Sequence, residues 1–136
     1  MVRADFAGRA SALVGTRFRP QGRNLQRGVD CLGLILVVFE IPDAGIRRNY
    51  RLRGDHRSEI TVHLQRHFRR IPARDVRPGD LLLLSVATDQ LHFAITTQRG
   101  FVHADAKIGK VVETPGATRW PLAGAYRKRA AARRSA

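Results

Sequence analysis

The sequence predicts an α+β fold, with N-terminal helices packed on a central antiparallel sheet of about five strands. Two patterns and a size lead there. Apolar residues recur at helical spacing in the first half of the chain, and the second half breaks into short apolar runs separated by turn residues. Apolar residues make up 43% of 136 residues, enough for one core in one domain.

Taken in order, Val2, Phe6, Leu13 and Val14 lie at near-helical spacing over residues 2–14, and Gly15 ends that short amphipathic helix. Thr16–Gly28 is a polar loop rich in Gly and Arg. Cys31–Phe39 is apolar throughout. Its Ile, Val and Phe content favours a strand, whereas Asp30 is a good N-cap and Pro42 a stop signal, so the pattern is taken as a buried helix. Pro42–Gly54 is an irregular connection. Arg57–Arg70 is a helix, with Ile60, Leu64, Phe68 and then Ile71 spaced by four, four and three, and Pro72 closes it. Arg77-Pro78-Gly79-Asp80 is a turn into a buried strand, Leu81–Val86. Leu91–Thr96, Phe101–Ala104, Lys110–Glu113 and Leu122–Arg127 supply the remaining strands. There are no internal repeats.

Charge and composition bound the function. The net charge is +14, from 25 basic and 11 acidic residues, nearly all the basic ones arginine. Such a chain attracts nucleic acid, but equally any other polyanion or anionic envelope polymer. Without a helix-turn-helix pattern or aromatics interleaved with basic residues, no specific nucleic-acid partner is expected. No Walker loop, dinucleotide fingerprint or paired-cysteine zinc motif is present, so no cofactor is expected. A single cysteine excludes an internal disulfide. The longest apolar run, Leu32–Phe39, falls far short of the roughly 20 residues of a membrane helix. Met1–Val14 carries Arg3, Asp5 and Arg9 in place of a signal peptide's apolar stretch, so the chain is expected to lack its own export signal.

The chemistry-bearing residues are few. Cys31 opens the apolar run of Gly28-Val29-Asp30-Cys31-Leu32-Gly33-Leu34. His92 follows in Leu91-His92-Phe93-Ala94-Ile95, and His103 in Gly100-Phe101-Val102-His103-Ala104. A lone thiol with downstream histidines, in this order, is the layout of a cysteine hydrolase. A thiol attacks as thiolate, which a helix N-terminus and a nearby imidazole both favour. The same helix start offers the backbone N–H of Cys31 to a developing oxyanion. The alternative is a buried, inert cysteine. Loop geometry decides whether the histidines meet. A four-residue loop at Thr96–Arg99 places them directly opposite each other, and a two-residue loop at Arg99-Gly100 offsets them by four residues, roughly 13 Å. His56, His63 and His67 form a competing group, with His63 and His67 one helical turn apart. They have no evident third ligand, and a solvated basic face with Arg66, Arg69 and Arg70 explains them better, so no metal is expected.

Four segments together resemble the NlpC-type cell-wall peptidases, a compact branch of the papain-like superfamily. They are Val14-Gly15-Thr16-Arg17-Phe18-Arg19 before the nucleophile, Asp30-Cys31-Leu32-Gly33-Leu34 around it, Val76-Arg77-Pro78-Gly79-Asp80-Leu81 at the first core strand, and the two histidine segments. The match spans roughly residues 5–126. The resemblance implies a single peptidase domain over residues 1–127, followed by a basic, flexible tail over 128–136. It implies Cys31 as nucleophile, His92 as general base and acid, and His103 as the orienting third residue. Asp30 matches a position that in some members holds a substrate amine, and it equally suits a helix cap. Phe18 stands where the family usually has tyrosine, and Leu32 replaces a serine that in some members reads the peptide's free amine. Both bear on which bond is cut.

The function so implied is a cysteine endopeptidase acting on peptidoglycan stem peptides through a thioester. The short form resembles the version found in phage tails and gene-transfer particles, which would supply particle proteins as partners and carry the enzyme to the wall. The rivals are an amidase or acyltransferase on the same fold, a non-catalytic wall-binding tail component, and a nucleic-acid binder suggested by charge alone.

Overall fold

The computed structural model describes residues 5–42, 62, 64–87 and 90–130. Two helices, α1 (Phe6–Ala12) and α2 (Cys31–Val38), precede the main sheet, with a small hairpin, β1 (Arg23–Asn24) and β2 (Gly28–Val29), between them. The sheet strands are β3 (Phe68–Ile71), β4 (Leu81–Ala87), β5 (Gln90–Thr96), β6 (Gly100–Asp105), β7 (Lys110–Pro115) and β8 (Leu122–Lys128). Their order is β3-β8-β4-β5-β6-β7, and every pairing is antiparallel. None of the described helices is long and apolar enough to cross a membrane.

Strand alternation divides the apolar residues between two layers. Leu81, Leu83, Leu91, Phe93, Ile95, Val102 and Val111 face α2, and Leu82, Leu84, Ala94 and Phe101 face the other way with Ile71 and Ala125. The four leucines that open β4 are therefore buried on both faces, as a central strand requires.

α2 forms against the strand propensity of its sequence because it is surrounded. Gly33, Leu34, Ile35, Leu36 and Val38 are all buried. Full burial of a Leu, Ile or Val contributes roughly 1.5–3 kcal/mol, against a few tenths lost per β-branched residue in a helix. Asp30 caps it by accepting the Gly33 N–H at 2.8 Å. The close fit explains Gly33 itself, since a Cβ there would collide with the carbonyl of Gly22 in the β1–β2 segment.

Three expectations are corrected. Thr16–Gly28 is not a plain loop: Arg23–Asn24 pairs with Gly28–Val29, and residues 15–18 bind β7 through Gly15 N–H to Val111 O (2.8 Å) and Phe18 N–H to Gly109 O (2.9 Å). The first helix is shorter than residues 2–14, running from an Asp5 cap to Leu13, with Gly15 beyond it at φ +95°. The expected Arg57–Arg70 helix gives way at its end to β3. Residues 64–67 are helical, and Phe68–Ile71 pairs with β8 to add a sixth strand. Phe68 joins the helix-side core and Ile71 the opposite layer, the outcome of strand alternation over three residues, whereas a helix would put both on one face. Most of the Pro42–Gly54 connection lies outside the described residues, as does the start of the Arg57–Arg70 helix.

The Arg77–Asp80 turn is tied into the sheet. Gly79, at φ +94°, donates to Thr96 O (2.7 Å). Asp80, 3% exposed, takes Nε and Nη2 of Arg127 at 2.9 Å each and the Arg77 N–H at 2.8 Å. This fork joins the start of β4 to the end of β8.

Candidate active site

Cys31 is the first residue of α2 and is half-buried. Its thiol receives backbone N–H groups from Phe93 and Leu32. The Phe93 contact crosses from the helix layer to the sheet. The β5–β6 ladder registers only Ile95 with Val102 and Thr96 with Phe101, so toward Phe93 the two strands part and β5 has an amide to offer the thiol. The sulfur thus lies against β5 one residue from His92. The N–H of Cys31 itself, at the positive end of α2, has no acceptor among the described residues.

The β5–β6 register falls between the two loop geometries weighed above. It leaves Gln98 and Arg99 at the tip, with Thr97 N–H bonded to Gly100 O at 2.9 Å. Continued along the strands, it sets His103 opposite Ala94, so His92 and His103 are diagonal neighbours on one face, within reach of ring side chains. His92 Nε2 and His103 Nδ1 are 2.9 Å apart, and the rings meet edge to face. This leaves Nδ1 of His92 as the nitrogen open to another partner.

The electrostatics favour a neutral resting pair. Burial and then the Asp30 carboxylate push the Cys31 thiol up to about 12, against the pull of the two amides and Arg23. Burial and then His103 bring His92 down to about 4, with Asp105 opposing. His103 is lowered by burial and raised by Asp105. The proton therefore rests on sulfur.

A family model for the NlpC/P60 family matches residues 15–126. The chain belongs to the NlpC/P60 family. Among solved structures it is similar to the NlpC/p60 domain of the peptidoglycan hydrolase SagA, at 20% identity over 84% of this chain and 90% of that one, with a TM-score of 0.58. It is also similar to the peptidoglycan hydrolase RipB from Mycobacterium tuberculosis, at 21% identity over 90% of this chain and 62% of that one, with a TM-score of 0.56. A search of curated proteins gave no significant match. The helices and antiparallel sheet described above are thus the papain-like fold of NlpC/P60 proteins.

Asp30, Phe18 and Leu32 lie near Cys31 in this NlpC/P60 chain. Both carboxylate oxygens of Asp30 are engaged internally. Oδ1 takes Gly33 N–H and Arg23 Nη1 (2.8 Å each), and Oδ2 takes Gln21 N–H (2.9 Å). Asp30 is thus cap and loop anchor together. Phe18 bridges Val29, two residues before Cys31, and Phe18 and Leu32 both pack on the helix-side core. His56 and His63 lie outside the described residues, and His67 gives its carbonyl to Arg129 N–H (2.8 Å). Among the described residues no three His, Cys, Asp or Glu cluster as a metal site.

Two residues went unnoticed in the sequence. Trp120, the chain's only tryptophan, sets its ring 5.7 Å from that of His92 and 5.8 Å from that of His103, near edge-on to both. Asp105, two residues past His103 on β6, is the carboxylate that acts on both imidazoles. The alternation on β6 could have flagged Asp105, since residues 103 and 105 share a face. Nothing in the spacing flags Trp120.

Proposed function

We propose that the chain is a cysteine endopeptidase cleaving amide bonds in the stem peptides of peptidoglycan. The observation that carries this is the thiol at the start of α2, held by the Phe93 amide one residue from a histidine whose far nitrogen is paired with a second histidine. Productive chemistry needs the tautomer in which His92 Nε2–H donates to His103 Nδ1, leaving the Nδ1 lone pair of His92 to receive the thiol proton.

As the sulfur attacks the substrate carbonyl carbon, its proton passes to His92 Nδ1 and the carbonyl π pair moves to oxygen. The unpartnered Cys31 N–H and the α2 dipole stabilise that oxyanion. On collapse the C–N bond breaks, and His92 gives its proton to the departing amine, leaving a thioester. His92 then takes a proton from water, whose oxygen attacks the thioester. The second collapse expels the sulfur, which regains its proton, and releases the carboxylic acid. Because thiol and imidazole are both neutral at rest, proton transfer accompanies attack. The thiol and His92 are not hydrogen-bonded in the resting chain, and catalytic contacts of this kind close in the substrate complex.

Cys31→Ala should abolish release of peptide fragments from purified peptidoglycan while leaving the melting temperature near that of the native chain. Undiminished release would remove Cys31 from the mechanism. Mass analysis of the products separates an endopeptidase from an amidase or an acyltransferase. We further propose delivery on a phage-like particle, which co-purification of the chain with such particles would test.

A further inference from the structure

Away from the thiol and the two histidines lies a groove of about 1150 Å³. It is bounded by the start of α1, the end of α2 at Phe39–Glu40, the β5–β6 turn and the end of β8. None of Cys31, His92, His103 or Trp120 lines it. Thr97, on its wall, lies five residues along from His92, about 16 Å at strand rise, and Phe39 lies eight residues from Cys31, about 12 Å along the α2 axis.

The groove's charges are mixed in sign and partly free. Arg127 is committed to Asp80, and Arg9 to Glu40 at 3.5 Å. Arg69, Arg77 and Arg99 are exposed on its walls with no carboxylate partner among the described residues. Opposite charge is present too: Glu113 binds Thr97 Oγ1 through Oε2 at 2.7 Å, and Asp5 uses Oδ1 for the Gly8 cap, leaving each an oxygen without a described partner.

We propose that this groove is a second binding site for peptidoglycan, holding a peptide strand of the wall away from the bond being cut. The inference rests on the function proposed above. Guanidinium heads match carboxylates in planar, two-bond geometry, and stem peptides carry free carboxylates and amines along one strand. A groove that carries both arginines without a carboxylate partner and the carboxylates of Glu113 and Asp5 complements such a strand. It complements a nucleic-acid backbone poorly, because the carboxylates on its walls would repel a continuous row of phosphates. Grip at a distance from the thiol would keep a small domain on an insoluble polymer between cuts.

The test is binding of Cys31→Ala protein to purified peptidoglycan sacculi, with Arg69→Gln, Arg77→Gln and Arg99→Gln combined as the groove variant. Arg27→Gln, Arg74→Gln and Lys107→Gln combined form a charge-matched control away from the groove. Removing three exposed pairings should weaken sacculus binding about tenfold in the groove variant and less than about twofold in the control. The groove variant with Cys31 intact should hydrolyse a soluble stem peptide at the native rate. Equal losses in both variants, or no loss in either, would overturn the site, as would a fall in soluble-peptide turnover. Reduced binding to duplex DNA with unchanged binding to sacculi would also overturn it and assign the groove to nucleic acid. Failure of the parent reading would appear elsewhere, as turnover by the Cys31→Ala chain.

Discussion

Removing the indole of Trp120 should raise the pH at which the proposed peptidase activity is lost in acid. In the mechanism proposed above His92 must be neutral to accept the thiol proton, so kcat/KM is lost as pH falls through the imidazole pKa of the free protein. Burial is the first cause holding that pKa at about 4, below the ordinary 6.5, and Trp120 stands 5.7 Å from the ring. The native chain should therefore stay active at pH 5.5, where an ordinary histidine would be mostly protonated. Trp120→Ala admits water to one side of both rings and should return roughly half of the depression, moving the acid midpoint to about pH 5. The assay is release of a soluble stem-peptide product from pH 3.5 to 8 at substrate well below KM, with melting curves at each pH to separate inactivation from unfolding. A native midpoint near 6.5, or one that Trp120→Ala leaves in place, would refute the claim that desolvation sets the basicity of His92.

The same depression carries a stability consequence. Above pH 6.5 His92 is neutral whether folded or not. Between 6.5 and about 4 the unfolded chain gains a proton that the folded chain refuses, so stability falls by up to about 3 kcal/mol, and His92→Gln should flatten that slope in urea titrations. In the tautomer the mechanism requires, His103→Ala removes the acceptor for His92 Nε2–H and should cut kcat ten- to a hundredfold with KM little changed; His103→Asn should recover part of the rate, and equal activity in all three proteins would exclude a positioning role. Gly33→Ala pushes α2 off the Gly22 carbonyl and should cost about 1–3 kcal/mol by denaturant unfolding.

Much of the fold around Cys31 was legible in the chain because its order is local. Asp30 next to Cys31 announces a capped helix start, and Pro42 sets its limit, so a segment of strand-like composition could be assigned to a helix. Four leucines after Pro78-Gly79-Asp80 announce a central strand. What failed depends on partners distant in sequence. Phe68 and Ile71 fit a helical stripe as well as a strand, and only pairing with β8 resolves them. The offset of His92 and His103 hangs on which residues form the β5–β6 tip, and the two loops weighed from the sequence bracket the register that forms. Trp120 reaches the rings from the segment leading into β8, and no periodicity links it to them. Asp30 was open between a cap and a substrate ligand, and three internal partners now account for its oxygens.

The most direct test of the central claim is the mass of the covalent species. Mixing the chain with soluble peptidoglycan peptides, quenching in acid within the first turnover and mapping the fragments should show Cys31 carrying an added acyl peptide that hydroxylamine removes. A chain that is turning over while its Cys31 fragment stays unmodified at every quench time, or carries the adduct on another residue, would contradict the account.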